Sequence, residues 1–290
     1  MRVRHNQRMP QFTDDHGIEI TYYEWLVPTP KAIVMILHGI GEHALRYTAV
    51  AKRLNQAGYS VVADDHRGHG QTGYQQWNHD LSKLGQLGPG GLRAAEDAIE
   101  RITVRVRQEH PGVPMVLLGH SLGSLIAQRM INANPFAFDA VVLSASAYRM
   151  PGSMESGDLN KHHKHLGETG FEWLSRDPEV AAAFVADPLC FEGKVLKMFG
   201  LRDALRLFGV PSTQLPPSLP IFIVSGTEDP LSIGTSIEKL AKSYRTRAGL
   251  EDVTLTLYEG ARHEVFNETN KDEVLDDLVA WLDGRFAATL

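Results

Sequence analysis

A mostly parallel, doubly wound α/β sheet carrying a helical insertion is the fold that this 290-residue chain predicts. Three observations predict it. Short apolar runs alternate with longer helical patterns along most of the chain. Most runs are apolar on both faces, as strands are when helices cover both sides of a parallel sheet. The alternation stops between about Ala145 and Pro220, where prolines stand at 151, 178, 188, 211, 216, 217 and 220.

The elements follow in order. Segments at about 10–14 and 18–26 flank Asp14-Asp15-His16-Gly17, which is hairpin turn chemistry, so the sheet opens with antiparallel strands. Buried strands are predicted at Ala32–Leu37, Ser60–Ala63, Met115–Leu118, Ala140–Leu143 and Ile221–Val224. Val253–Tyr258 alternates apolar residues with Thr, Thr and Tyr, which places it nearer the sheet edge. Helices are predicted at about 44–57, 90–109, 122–133, 233–247 and 270–286. Within the interruption, Asp177-Pro178-Glu179 reads as a helix start. Val195, Leu196, Phe199, Leu201, Leu205 and Phe208 give a second segment a strongly apolar side. The division is therefore a core of 1–144 and 221–290 with a helical insertion, 145–220, packed over the sheet.

Composition narrows the function. Hydrophobic residues make up 43% and charged residues 22%, the balance of a soluble globular protein. A formal net charge of -6 leaves no broad positive field for phosphates, so nucleic acid is not an expected partner. The single cysteine, Cys190, allows no intramolecular disulfide and no cysteine cluster for zinc or iron–sulfur. Met1–Pro10 is basic and polar, without the apolar stretch of a secretory leader, and the apolar runs are too short to span a bilayer. A cytoplasmic protein is expected.

Gly119-His120-Ser121-Leu122-Gly123 joins the strand at 115–118 to the helix at 122–133. A serine on such a turn sits in strained backbone, and small residues two before and two after it relieve the crowding. The hydroxyl is lifted above the sheet, beside helix N–H groups that can meet a developing oxyanion. Ser121 is the predicted nucleophile. It needs an imidazole to take its proton and a carboxylate to orient that imidazole, in the chain order serine, acid, histidine. Glu228 and Asp229 both follow the strand at 221–224. Asp229 is preferred because it lies deeper in the loop, just before the next helix, and Glu228 remains the competitor. His263 follows the last strand, and no other histidine lies beyond His165. The Gly-rich turn at 38–43 offers backbone donors, so the N–H groups of Ile40 and Leu122 are the predicted oxyanion hole.

These blocks carry a resemblance. His38-Gly39-Ile40-Gly41-Glu42-His43 with Arg46-Tyr47 resembles the opening signature of the monoacylglycerol lipase and lysophospholipase group of α/β-hydrolases. Asp65-His66-Arg67-Gly68-His69-Gly70 is similar to a turn seen across the superfamily, and Gly119–Gly123, Gly226–Asp229 and Gly260–His263 match the group's remaining blocks in order. The resemblance runs from about residue 17 to 285. It implies an α/β-hydrolase fold and a triad of Ser121, Asp229 and His263. It implies oxyanion donors at Ile40 and Leu122, and a helical cap at 145–220 that shapes an apolar acyl tunnel. The implied reaction is hydrolysis of lipid-like carboxylic esters, with a small-molecule acyl ester as substrate and no cofactor. Peripheral membrane contact through the apolar cap segment at 195–208 is a further expectation.

Other signals are read as structural. Glu42 and His43 are expected to cap and position the following helix. His38, His43, His66 and His69 share a sheet edge but lack any metal-binding spacing, so no metal is expected. His162, His163 and His165 are expected to face solvent. Gly68–Gly73 lacks the ending of a phosphate loop. Fold and triad alone leave open an aminopeptidase-type or carbon–carbon hydrolase, or a non-catalytic binding protein on the same scaffold.

Overall fold

Alternate side chains of a strand point to opposite faces, so a strand buried on both sides must feed two cores. The computed structural model, which describes residues 7–155 and 157–286, has this organisation. The first six residues of the basic N-terminal stretch lie outside the described residues. The strands are β1 (Gln7–Arg8), β2 (Gln11–Thr13), β3 (Glu19–Trp25), β4 (Ile33–Leu37), β5 (Ser60–Asp64), β6 (Met115–His120), β7 (Ala140–Ser144), β8 (Ile221–Gly226) and β9 (Val253–Tyr258). Their spatial order is β1-β3-β5-β4-β6-β7-β8-β9, with β2 paired to β3. β5, β4, β6, β7, β8 and β9 run parallel, while β3 is antiparallel to β1, β2 and β5.

Helices fill both faces. They are α1 (Thr48–Gln56), α2 (Gly70–Gln76), α3 (Gly91–Glu109), α4 (Leu122–Ala133), α5 (Pro178–Ala186), α6 (Val195–Arg206), α7 (Ser236–Thr246) and α8 (Lys271–Phe286). On one face Ile33, Met35, Leu37, Leu117 and Ile223 pack with Ile99 of α3, Ile126 of α4 and Leu240 of α7. On the other face Val34, Ile36, Val116, Leu118 and Val224 pack with Leu54 of α1 and Leu278 and Leu282 of α8. Each fully buried aliphatic side chain contributes roughly 1.5–3 kcal/mol.

The expected strands and most expected helices are present, with informative differences. The Asp14 carboxylate accepts N–H groups of His16 and Ile18 at 2.9 Å each, which closes the β2–β3 hairpin. β9 lies at the sheet edge, with Leu257 38% exposed. The helix expected at 44–57 begins as a 3₁₀ turn over Ala44–Tyr47 before α1. α2 was not expected: its glycine-rich sequence hides a two-turn helix whose Gln71 N–H donates to the Asp65 carboxylate at 2.7 Å.

In the insertion, Asp177 caps α5 through Glu179 N–H at 3.0 Å, with Pro178 in the first turn. α6 is broken at Gly200, where φ is 72° and ψ 168°. The break interrupts the helical phase of the apolar residues. Val195 and Phe199 reach the core, whereas Leu196, Leu201 and Leu205 remain more than half exposed. Leu207, Leu215 and Leu219 join the core beside α4 and α7, which ties the end of the insertion to the sheet. No helix among the described residues is long and apolar enough to cross a membrane.

The two-sided burial makes a graded prediction. Ile36→Ala should lower unfolding free energy by roughly 2–5 kcal/mol, and Leu257→Ala on the edge by under about 1 kcal/mol. Denaturant titration of both variants checks this, and equal costs would contradict the two-core arrangement.

Candidate active site

The site begins with a backbone constraint at the end of β6. Ser121 has φ 51° and ψ −121°, a strained conformation for a residue with a side chain. The turn is as tight as its neighbours' size permits. A methyl group on Gly119 would lie 2.4 Å from the Gly123 carbonyl oxygen, and one on Gly123 would lie 2.1 Å from that of Leu37. Ser121 N–H donates to Ser144 O at 3.0 Å, tying the turn to β7, and the Ser124 hydroxyl donates to Ser121 O at 2.6 Å. α4 then starts at Leu122. The N–H groups of Leu122 and Ile40 have no hydrogen-bond acceptor among the described residues. Gly39, beside Ile40, is so near that a methyl group there would touch Ser121 Cβ at 3.2 Å.

The β8 and β9 loops supply the acid and the imidazole. Asp229 Oδ1 accepts from His263 Nδ1 at 2.8 Å, and both side chains are buried. Leu231 N–H donates to the same carboxylate at 3.0 Å, and the Ser225 hydroxyl donates to its other oxygen at 3.2 Å. Glu228 points to solvent, so Asp229 alone of the two carboxylates meets the ring. With Nδ1 engaged, Nε2 is the nitrogen left to face a reacting group. The His263 ring sits between His120, at 4.9 Å between centroids, and Trp173 of the insertion, at 4.7 Å. His120 adjoins Ser121 in the chain. No hydrogen bond joins the Ser121 hydroxyl to the ring among the described residues.

Electrostatics divides these histidines. Burial works to keep His263 neutral, but the charge and hydrogen bond of Asp229 outweigh it. Glu264 and Glu42 add to that effect, and the ring's pKa ends above the ordinary histidine value. Burial works to raise Asp229, but the pairing with His263 and the Leu231 N–H hold it below the usual carboxylate range. His120 is pushed down to about 3, first by burial and then by His263, so it stays neutral beside the ring.

The loops are joined by a buried ionic bridge that the sequence reading missed. Glu42 accepts from Gly39 N–H at 2.6 Å and from the Tyr47 hydroxyl at 2.8 Å. Its other oxygen accepts from Arg46 at 2.9 Å. The Arg46 fork continues to both oxygens of Glu264, at 2.5 and 2.9 Å, next to His263. All three side chains are at most 12% exposed. A buried ion triad contributes little net stability, so its effect here lies in geometry. It fixes the 38–43 turn against the His263 loop.

Two expectations are corrected. Glu42 and His43 do not cap a helix: His43 stands at the start of the 3₁₀ turn without a side-chain capping bond, and Glu42 reaches backward to Gly39. His163 is buried, although His162 and His165 face solvent. A capping reading needs only chain proximity, whereas the Arg46–Glu264 contact spans 218 residues and leaves no local pattern. The other histidines near this edge form a packed stack. His38 and His66 lie 3.9 Å apart between centroids, and His66 pairs with Asp64 at 2.7 Å.

A family model described as serine aminopeptidase, S33 (Hydrolase_4) matches residues 28–270. A protein of Mycolicibacterium smegmatis named monoacylglycerol lipase is 35% identical over 279 residues, covering 92% of this chain and 93% of the relative. A monoglyceride lipase of Mus musculus is 28% identical over 275 residues, covering 90% and 85%. Among solved structures, a lipase in its open form superposes with a TM-score of 0.78 at 28% identity, over 96% of this chain and 98% of the other. A thermostable carboxyl esterase from Bacillus coagulans reaches 0.83 at 23% identity, over the same shares, and speaks for the fold.

The ionic bridge predicts a titration. His263 should titrate above the ordinary value of about 6.5. Its folded pKa is raised, so the pairing's stabilisation is complete below about pH 6.5 and is lost as pH rises through the folded value. Glu264→Gln removes a negative charge and leaves Arg46 with less compensation, so the titration should move to lower pH. Imidazole resonances followed by NMR check this, and an unmoved midpoint would refute the coupling.

Proposed function

The chain belongs to the Hydrolase_4 (serine aminopeptidase, S33) family of α/β-hydrolases, and from that premise we propose that it is a serine hydrolase cleaving carboxylic esters of lipid-like substrates through an acyl-enzyme. The observation that carries the reading is the buried His263–Asp229 pair beside a serine held at a strained strand-to-helix turn. Relatives named monoacylglycerol and monoglyceride lipase support the substrate class, a monoacylglycerol or a related acyl ester such as a lysophospholipid.

In this reading Ser121 Oγ attacks the ester carbonyl while His263 Nε2 takes its proton. Asp229 holds the ring with Nδ1 protonated and stabilises the imidazolium. Bound ester draws the hydroxyl and the ring into line, because catalytic hydrogen bonds tighten in the substrate complex. The N–H groups of Ile40 and Leu122 receive the oxyanion, and each lost donor should cost roughly 3 kcal/mol, about 10²-fold in rate. The carbon–oxygen bond breaks as His263 returns the proton to the leaving alcohol. Water, deprotonated by the same ring, then cleaves the acyl-serine and releases the acid. No cofactor enters these steps.

Residues 1–144 and 221–290 are the catalytic core in this reading, and 145–220 the cap. Trp173, against His263, brings the cap to the chemistry. A cytoplasmic location belongs to the same reading. So does peripheral membrane contact, supported by exposed Leu196, Leu201 and Leu205 interleaved with Lys197, Arg202 and Arg206 on α6.

Three measurements test the proposal. A fluorophosphonate probe should label the wild type and leave Ser121→Ala unlabelled, while Asp229→Asn should lose about 10⁴ in kcat. p-Nitrophenyl esters should be hydrolysed well ahead of amino-acyl anilides; faster anilide cleavage would favour the peptidase alternative, and no turnover of either would favour a binding protein. Separately, replacing Leu196, Leu201 and Leu205 by serine should reduce flotation with anionic liposomes. Unchanged partitioning would end the membrane reading.

A further inference from the structure

We infer that His43, Asp187 and Cys190 form a binding site for a soft divalent cation of the zinc class, bridging the 38–43 turn to the segment that follows α5. Their ligand atoms, an imidazole nitrogen, a carboxylate oxygen and a thiol sulfur, all lie within 4.8 Å of one another. His43 Nε2 and Asp187 Oδ2 are already 2.9 Å apart. A tetrahedral zinc with bonds of about 2.0–2.3 Å keeps its ligand atoms roughly 3.3–3.6 Å apart, so side-chain adjustments of about 1 Å complete three corners. Thiolate and imidazole together select zinc or cobalt over magnesium or calcium, which prefer oxygen donors.

The ligands are held in place without the ion. Asp187 ends α5, and its Oδ1 accepts from Leu189 N–H at 2.9 Å. Cys190 N–H donates to Asp187 O at 3.0 Å, which folds the thiol back toward the carboxylate. Phe191 N–H donates to Gly41 O at 2.9 Å, two residues from His43. This bond fastens the two halves of the site to each other. Burial holds the proton on the Cys190 thiol, and Asp187, Glu42 and Glu264 add to this against Arg46, so an ion must displace that proton to bind. The Asp187 side chain is 33% exposed, which gives an ion a path in and leaves a fourth position for water. Among the described residues none of the three side chains is hydrogen-bonded to Ser121 or His263, so the Ser–Asp–His row leaves them unused. On binding, the thiol proton passes to solvent.

A bound ion would pin residues 187–191 onto the turn that carries Ile40. If the cap must open to admit an ester, which rests on the hydrolase reading above, the pinned form hydrolyses it slowly. Cobalt(II) provides a test that does not depend on activity. Titrated into the metal-free protein, one equivalent should produce thiolate-to-cobalt charge-transfer absorption that zinc abolishes. Cys190→Ser should remove the absorption, and Asp187→Asn should weaken binding at least tenfold. A His162→Gln/His165→Gln variant should bind as the wild type does. Absent charge-transfer absorption, or equal binding by Cys190→Ser, would overturn the site. With p-nitrophenyl ester, zinc should slow the wild type at least tenfold and chelator should restore it. Cys190→Ser should turn over at the metal-free wild-type rate with or without zinc. Cobalt absorption with unslowed turnover would overturn the clamp alone, and no ester turnover by any form would instead refute the hydrolase reading.

Discussion

The backbone contact between Gly123 and the end of β4, with that between Gly119 and Gly123, is the constraint on which the site depends. Both distances leave no room for a Cβ. They allow β6 to turn directly into α4 and hold Ser121 at positive φ. A looser turn would lower the hydroxyl into the sheet and move the helix N-terminus away. The strain, of order 1–3 kcal/mol, is held by the parallel pairing of β4, β6 and β7 and by the two hydrophobic layers around them.

Above that turn, the site is organised by buried charge. Asp229 and His263 form one hydrogen-bonded pair, and Glu42, Arg46 and Glu264 form an ionic unit beside it. Burial disfavours charge at Asp229, Glu42, Arg46 and Glu264, and each is held by a hydrogen-bonded partner. The two units share a field: the carboxylates of the second raise the proton affinity of the ring in the first. The 145–220 insertion enters this arrangement at several points. Trp173 covers His263, Phe184 lies 4.9 Å from the Arg46 guanidinium, and Glu264 N–H donates to Leu174 O at 2.7 Å. The insertion therefore packs against the same residues that position the imidazole.

Much of the fold was legible because its signals are local. Apolar runs mark the two-sided strands, Asp14–Gly17 marks the hairpin, and Asp177-Pro178 marks the start of α5. α2 escaped notice because its stabilising contact comes from Asp65, outside the segment, while its own glycines argue against a helix. The apolar side of 195–208 was legible as composition, but its partition was not. The break at Gly200 decides which leucines meet the core and which meet solvent.

The amino-acid sequence by itself determined the succession of the core strands and of their longer helices, the tight serine turn, and the segments that carry Ser121, Asp229, His263, Ile40 and Leu122. These depend on spacing and residue size within a few positions of the chain. Tertiary structure decided which carboxylate meets the ring, that Glu42 joins Arg46 and Glu264 instead of capping a helix, and that His43 faces Asp187 and Cys190. The physical reason is distance along the chain. Contacts such as Arg46–Glu264 and His43–Asp187 join segments 218 and 144 residues apart. They exist only after the sheet has assembled and brought its loops to one edge.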